Sequence, residues 1–290
     1  MLRAHEKATR DLPVTEITSV ANPKVKHLVT LRRRRVRDDE GVSLVEGYEE
    51  LDLAMAAGIQ PRELFLCPDL IADDPRGLEA RASVGATVYH LSRAAFEKAA
   101  YRDGPDGWLA VVPRVGSELA DIDLGLTPLI IVCESLEKPG NLGAILRTAD
   151  AVGAAAVVSV DPVTDWGNPN VIRASKGAVF SVPVASVVTQ EFLEWARSRG
   201  LLIVATTPDT EVLVEDLDLK GPVAIVVGSE KFGLSEELLA GADVRAKLPM
   251  FGRVDSLNVG VTAAVVAYEA VRQRMSAQAT QQSEGSSSWR

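Results

Sequence analysis

AIVVGSEKFGLSEE, residues 224–237, decides the architecture. Its first four residues are all apolar, which a strand needs when helices cover both faces of its sheet. Gly228 ends the run, and Ser235 stands where a helix cap belongs. Strand, glycine loop and helix in that order belong to a parallel α/β unit, whose ligands bind at the carboxyl ends of the strands. Gly228 there permits close backbone approach by a ligand. Read alone, the same stretch is also a plain strand–turn–helix connection.

The pattern extends outward from this stretch. Strands are expected at 129–133, 156–160, 201–205, 223–227 and 244–248, with helices at 142–152, 190–199, 236–240 and 257–275. An earlier series has strands at 42–45, 63–67, 87–91 and 108–112 and helices at 49–57, 77–83 and 93–100, behind a basic helix over 22–37. The polar, acidic stretch 114–127 reads as a linker. The expected organisation is therefore a flexible N-terminus (1–15), a first domain (16–113), the linker, a second domain (128–275) and a disordered tail (276–290).

Of the 290 residues, 47% are hydrophobic, enough to bury two cores. No apolar run approaches the roughly 20 residues that span a bilayer, and the N-terminus lacks a secretory apolar segment. Cys67 and Cys133 each adjoin an apolar run and read as buried free thiols, so a cytoplasmic protein is expected. The formal net charge of −9 conceals an uneven distribution: residues 1–37 hold ten Lys or Arg against three acids, a local charge of +7. Phosphates respond to the local field. Lys24, Lys26, Arg32, Arg33, Arg34 and Arg35 are therefore candidate RNA contacts; the alternative is one solvated helix face.

Several chemistries lack their signatures. There is no G-x-x-x-x-G-K-[ST], no G-x-G-x-x-G and no G-x-S-x-G, which removes support for a P-loop enzyme, a nucleotide-dependent oxidoreductase and an α/β-hydrolase. His5, His27 and His90 are scattered and no paired C-x-x-C occurs, so no metal site is expected. The expected chemistry is one that can run without metal or histidine.

Two further segments stand out. KPGNLGAILRTADAVG, 138–153, follows a buried strand, and Asn141 is a candidate N-cap. Leu142, Ile145, Leu146 and Ala149 share one helical face, with Arg147 well off it. Arg147 is either a solvated partner of Asp150 or a guanidinium offered to a phosphate or reacting hydroxyl near a helix N-terminus. LPMFGRVDSLNVGVTAAVVAYEAVRQR, 248–274, places Ser256 as a cap before a helix apolar on nearly all sides, which must be buried. Ser256 and Asn258 are either capping and satisfied, or aimed into a pocket.

Together NLGAILRTADAVG (141–153), VVGSEKFGLS (226–235) and LPMFGRVDSLNVGV (248–261) resemble the three motifs of the SpoU/TrmH family of SPOUT methyltransferases, in the family's order and spacing. RASKGAVFSVP (173–183) is similar to the family as well. The resemblance covers 128–275 closely and 15–113 loosely. It implies an α/β protein with a C-terminal trefoil-knotted SPOUT methyltransferase domain, an exception to unknotted folds, behind a smaller N-terminal ribosomal-protein-like α/β domain that binds RNA. It also implies a homodimer, with no membrane partner and no metal. S-adenosylmethionine would be held by Gly228, Leu248 and Leu257, with Ser229, Met250 and Asn258 lining the pocket. The functional polar residues map to Asn141, Arg147, Glu230, Ser256 and Asn258, and Arg173 joins the RNA contacts. The chain departs from the family at Lys231-Phe232, where many members have a small residue after the glutamate, and at Gly260, where many have serine.

The implied reaction is methylation of a ribose 2′-hydroxyl in structured RNA, above all 23S ribosomal RNA. A transfer RNA ribose methyltransferase and a silent RNA-binding or ribosome-assembly factor are the alternatives. Arg147 is expected to anchor a phosphate, oriented by Glu230 and Asn141, because a free guanidinium is too weakly acidic to serve as a base.

Overall fold

The computed structural model describes residues 14–287, with side chains to residue 279. Contacts divide it into two compact units, the first ending at Arg114 and the second beginning at Val115. The flexible segment expected at 1–15 falls outside the described residues except for its last two. Of these, Thr15 begins the first strand.

The first unit runs β1 (Thr15–Ile17), α1 (Pro23–Thr30), α2 (Arg34–Glu40), β2 (Val42–Glu46), α3 (Tyr48–Ala56), β3 (Glu63–Leu66), α4 (Leu78–Ala82), β4 (Thr87–Leu91), α5 (Arg93–Ala99) and β5 (Trp108–Pro113). Its sheet has the order β1-β4-β3-β5-β2, with β5 antiparallel to both neighbours. Leu28, Leu31, Phe65, Phe96 and Leu109 fill the core. The basic helix expected over 22–37 is two helices. Arg33 is extended between them, and two arginines hold the corner. Arg32 donates to the Lys98 carbonyl at 2.9 Å, and the buried Arg37 donates to the Leu31 carbonyl at 2.7 Å. A guanidinium's several donors suit it to such unpaired helix-end carbonyls.

The second unit runs β6 (Leu129–Glu134), α6 (Pro139–Val152), β7 (Ala156–Val160), α7 (Pro169–Ala174), α8 (Ala178–Ser181), β8 (Val184–Val187), α9 (Thr189–Ser198), β9 (Leu202–Thr206), β10 (Val223–Val227), α10 (Glu236–Gly241), β11 (Val244–Ala246) and α11 (Val259–Ser287). All six strands are parallel, in the order β11-β9-β10-β6-β7-β8. Every residue of β6, β7 and β10 is buried, as a doubly covered sheet requires. The chain starts mid-sheet at β6, builds outward to β8, then crosses to β9 and returns beside β6 as β10. The direction of winding thus reverses between β6 and β10, where open α/β sheets form their ligand crevice.

Three expectations are corrected here. The linker 114–127 is docked on this core: Val115, Leu119 and Ile122 are buried, and the Ser117 N–H donates to the Val184 carbonyl at 2.8 Å. Its spaced apolar residues outweigh its polar composition. The tail does not begin at 276, because α11 continues to Ser287 through Ala- and Gln-rich sequence without proline, which favours helix. Nor is α11 covered on all sides. Ala263, Val266, Ala267 and Ala270 are buried, whereas Val261, Val265 and Tyr268 form an exposed stripe on the opposite face. The helix is anchored by Arg274, whose guanidinium donates to the carbonyls of Thr127, Pro128, Leu219 and Gly221 at 2.7–3.3 Å.

Candidate active site

The site is built at the carboxyl ends of β9, β10 and β11. After β10 the chain folds into a closed turn, in which Ser229 N–H donates to the Gly233 carbonyl at 3.0 Å and Gly233 N–H donates back at 2.9 Å. Gly228 is required by this closure. A Cβ there would lie 2.2 Å from the Gly233 oxygen, so the close approach that selects glycine is the chain's own. Ser235 caps α10 by accepting from Leu238 N–H at 3.2 Å. Its own N–H donates to the buried carboxylate of Glu134 at 2.7 Å, fixing the turn to the end of β6.

Helix α6 begins at Pro139, whose fixed φ and missing N–H suit a first helical residue. Asn141 is therefore inside the helix and caps nothing. Its side chain accepts from Asn258 Nδ2 at 3.2 Å. The same Asn258 amide donates to Glu230 at 2.6 Å, and Lys138 Nζ donates to the other Glu230 oxygen at 2.5 Å. The Lys138 ammonium holds the Glu230 carboxyl below the usual carboxylate range, helped by hydrogen bonds from Asn141 and Asn258. Asn258 also begins α11, accepting from Gly260 N–H at 3.0 Å. The expected cap, Ser256, lies two residues too early. It is instead an exposed residue of the irregular segment before the helix.

Beside this cluster lies a cavity of about 580 Å³, within the range of small-molecule and cofactor sites. Gly228, Ser229, Glu230, Leu248, Met250, Ser256 and Leu257 all line it, together with Thr206 to Pro208 and Thr262. Asn258 and Asn141 touch its wall through Glu230. Main-chain groups at three strand ends and side chains that are mostly small or apolar suit the cavity to a nucleoside.

Arg147 lies apart. It is the ninth residue of α6, two turns from the helix start rather than near it, and it does not line the cavity. Neither Glu230 nor Asn141 orients it. Asp150 accepts instead from Ser181 at 3.1 Å, so the i+3 pairing is absent too. Arg147 is exposed with no side-chain partner among the described residues, on the face that also exposes Gly140, Ala144 and Ala151.

The basic residues of the first unit divide in two. Lys24 pairs with Glu63, Arg34 with Asp38 and Arg35 with Asp39, while Arg32 holds the helix corner. Lys26 and Arg33 are exposed, without a side-chain partner among the described residues. In the second unit Arg173 donates to Asn170 at 2.7 Å. Sequence reasoning missed Lys138 and Glu134; an acid ending an otherwise apolar strand was the available signal for Glu134.

Residues 128–268 match the SpoU rRNA methylase family, and residues 22–110 match the MRM3-like substrate binding domain. An uncharacterized tRNA/rRNA methyltransferase of Synechocystis sp. is 31% identical over 91% of this chain and 96% of its own. The 23S rRNA (guanosine(2553)-2′-O)-methyltransferase RlmP of Bacillus subtilis is 27% identical over 87% and 98%. Among solved structures, the AdoMet-bound rRNA methyltransferase from Sinorhizobium meliloti has a TM-score of 0.81 at 31% identity, covering 89% of this chain and 98% of that one.

Proposed function

The chain belongs to the SpoU rRNA methylase family, and from that premise we propose that it methylates a ribose 2′-hydroxyl of 23S ribosomal RNA with S-adenosylmethionine. One observation carries the reading. Asn141, Glu230 and Asn258, from three distant segments, converge beside a nucleoside-sized cavity at the switch point of the sheet.

The fit of the cofactor rests on that cavity. Gly228, Leu248 and Leu257 would hold it, with Ser229, Met250 and Ser256 beside them. Bound there, S-adenosylmethionine supplies an electrophilic methyl group. The chain's own residues then position and shield. The Lys138–Glu230–Asn258–Asn141 chain ties the glutamate turn to both helix starts, so the cavity wall is rigid before RNA arrives, and such positioning supplies much of the acceleration in a displacement. Glu230 is committed to Lys138 and held ionised, so it braces the wall. Every histidine precedes residue 114, so no imidazole of the second unit takes the hydroxyl proton. Arg147 neutralises the phosphate beside the target ribose.

A homodimer is supported by the exposed stripe Val261, Val265 and Tyr268, next to the α6 face that carries Arg147. Pairing there would let one copy's arginine serve its partner's cavity. The trefoil knot is supported by the return of residues 247–258 from the sheet edge to α11, which packs on β6 and β10. Lys26 and Arg33 remain available to RNA in the first unit, and the cytoplasm, where ribosomal RNA is found, is the expected site of action.

The test is to incubate the full chain with methyl-labelled S-adenosylmethionine and either 23S ribosomal RNA or total transfer RNA, then to map the label. Label on a 2′-oxygen of 23S RNA is expected. Label on transfer RNA only, or on a base atom, overturns the assignment, and label on neither RNA favours a silent binder.

A further inference from the structure

Two aromatic rings in segments that line the cavity are left exposed. Phe251 is 95% exposed and Phe232 is 73% exposed. Each sits within a segment that lines the cavity while the ring itself does not. Glu230 and Gly233 line it around Phe232, and Met250 and Gly252 line it around Phe251. The two rings therefore stand at the rim, one on the turn after β10 and one on the segment leading to α11. Lys231 places its ammonium 4.7 Å from the centroid of the Phe232 ring, a cation–π pairing that also leaves a positive charge at this rim. A large apolar ring is usually buried, and among the described residues nothing covers Phe251.

The chemistry at the cavity identifies what does. The methyl donor's cavity is recessed behind this rim, and a nucleotide of a loop or bulge that enters it with its ribose leaves its base unstacked at the rim. Exposed aromatic side chains are how proteins receive such unstacked bases. The inference rests on the methyltransferase reading above. We propose that Phe251, assisted by the Phe232–Lys231 pair, is the stacking platform for the base of the target nucleotide, with Lys231 meeting its phosphate. Neither ring replaces Arg147 or the asparagine cluster; the platform sets how well the nucleotide is held, and so which RNA is accepted.

The experiment compares the full chain with its Phe251→Ala, Phe251→Leu and Phe251→Trp variants. Each is measured for S-adenosylmethionine affinity by calorimetry, retention of a full-length 23S ribosomal RNA transcript on filters, methyl transfer to that transcript, and oligomeric state by sedimentation. Phe251→Ala should lose about 5- to 150-fold in RNA affinity and in kcat/KM, the range for one stacked base. Phe251→Trp should keep both and Phe251→Leu should resemble alanine. Cofactor affinity and sedimentation should be unchanged throughout. Wild-type RNA binding by Phe251→Ala or Phe251→Leu overturns the platform. So does a smaller species in sedimentation, which assigns the ring to contact with a second copy. Should the wild-type chain bind the transcript yet transfer no methyl group, the reaction assignment fails, and the binding comparison still decides the platform.

Discussion

Replacing Gly228 with alanine tests the closed turn on which the cavity depends. The added Cβ would stand 2.2 Å from the Gly233 oxygen, 2.3 Å from its carbonyl carbon and 2.6 Å from the Leu234 nitrogen. All three atoms are backbone, so no side chain can swing aside. Reaching ordinary contact near 3.5 Å requires the turn to move by roughly 1 Å. That movement breaks the two Ser229–Gly233 hydrogen bonds, each worth about 1 kcal/mol net, and over-packing of this kind costs about 1–3 kcal/mol by independent measure. The two figures describe one displacement. Against it, alanine restricts the unfolded chain and returns about 0.4–1 kcal/mol. The net expectation is a loss of about 1–2 kcal/mol. In a unit of this size each kcal/mol lowers Tm by about 2–4 °C. Gly221→Ala is the control, because a Cβ there meets nothing within 4 Å. Thermal unfolding should show the Gly228 variant falling by several degrees while the control does not, and calorimetry should show S-adenosylmethionine affinity falling with it, since Ser229 and Glu230 ride on the displaced turn. A Gly228→Ala protein as stable as the control, with wild-type affinity, refutes the closure.

Arg147→Ala should abolish methyl transfer while leaving cofactor affinity within about twofold, since the arginine is outside the cavity; appreciable turnover in single-turnover assays would remove it from the reaction. Asn258→Asp keeps an oxygen for Gly260 N–H but sets a carboxylate against Glu230 in place of an amide donor. Two facing carboxylates resist joint ionisation, so cofactor affinity should be weak at pH 8 and recover as the pair takes up a proton on acidification. The wild-type affinity should stay level over that interval, because its Glu230 is held below the carboxylate range; parallel calorimetric profiles would contradict this. Cys67 and Cys133 are both buried, and burial raises both thiols. Neither should react with an aromatic disulfide reagent in the native protein, and both should react on unfolding. Rapid native reaction of either thiol would refute their burial.

Much of the second unit's sheet was legible because parallel strands announce themselves: 156–160 and 223–227 have the limits expected from their unbroken apolar runs. The short strand β8 (VASV) was lost because Ser186 interrupts it and Pro183 precedes it. β1, α7 and α8 were too brief to show a period. The helix corner at Arg32 and Arg33 was hidden because basic composition says nothing about which carbonyls an arginine will reach. The polar cluster beside the cavity was beyond local reading altogether. Asn141 and Asn258 are 117 positions apart, and only the family resemblance paired them. Even so the pairing carried wrong details: Asn141 does not cap its helix, Ser256 does not cap α11, and Arg147 stands clear of the residues expected to orient it.

Arg274 donates to the carbonyls that lead into two neighbouring central strands, those of Thr127 and Pro128 before β6 and of Leu219 and Gly221 before β10, and it follows all four in the chain. During synthesis those four oxygens have emerged long before their donor. The first unit can finish folding while the second is still waiting for its C-terminal helix, which must then find a place beside β6 and β10. A chain interrupted before residue 274 therefore holds the whole sequence of the first unit but leaves the strand entries of the second without the donor that ties them to α11.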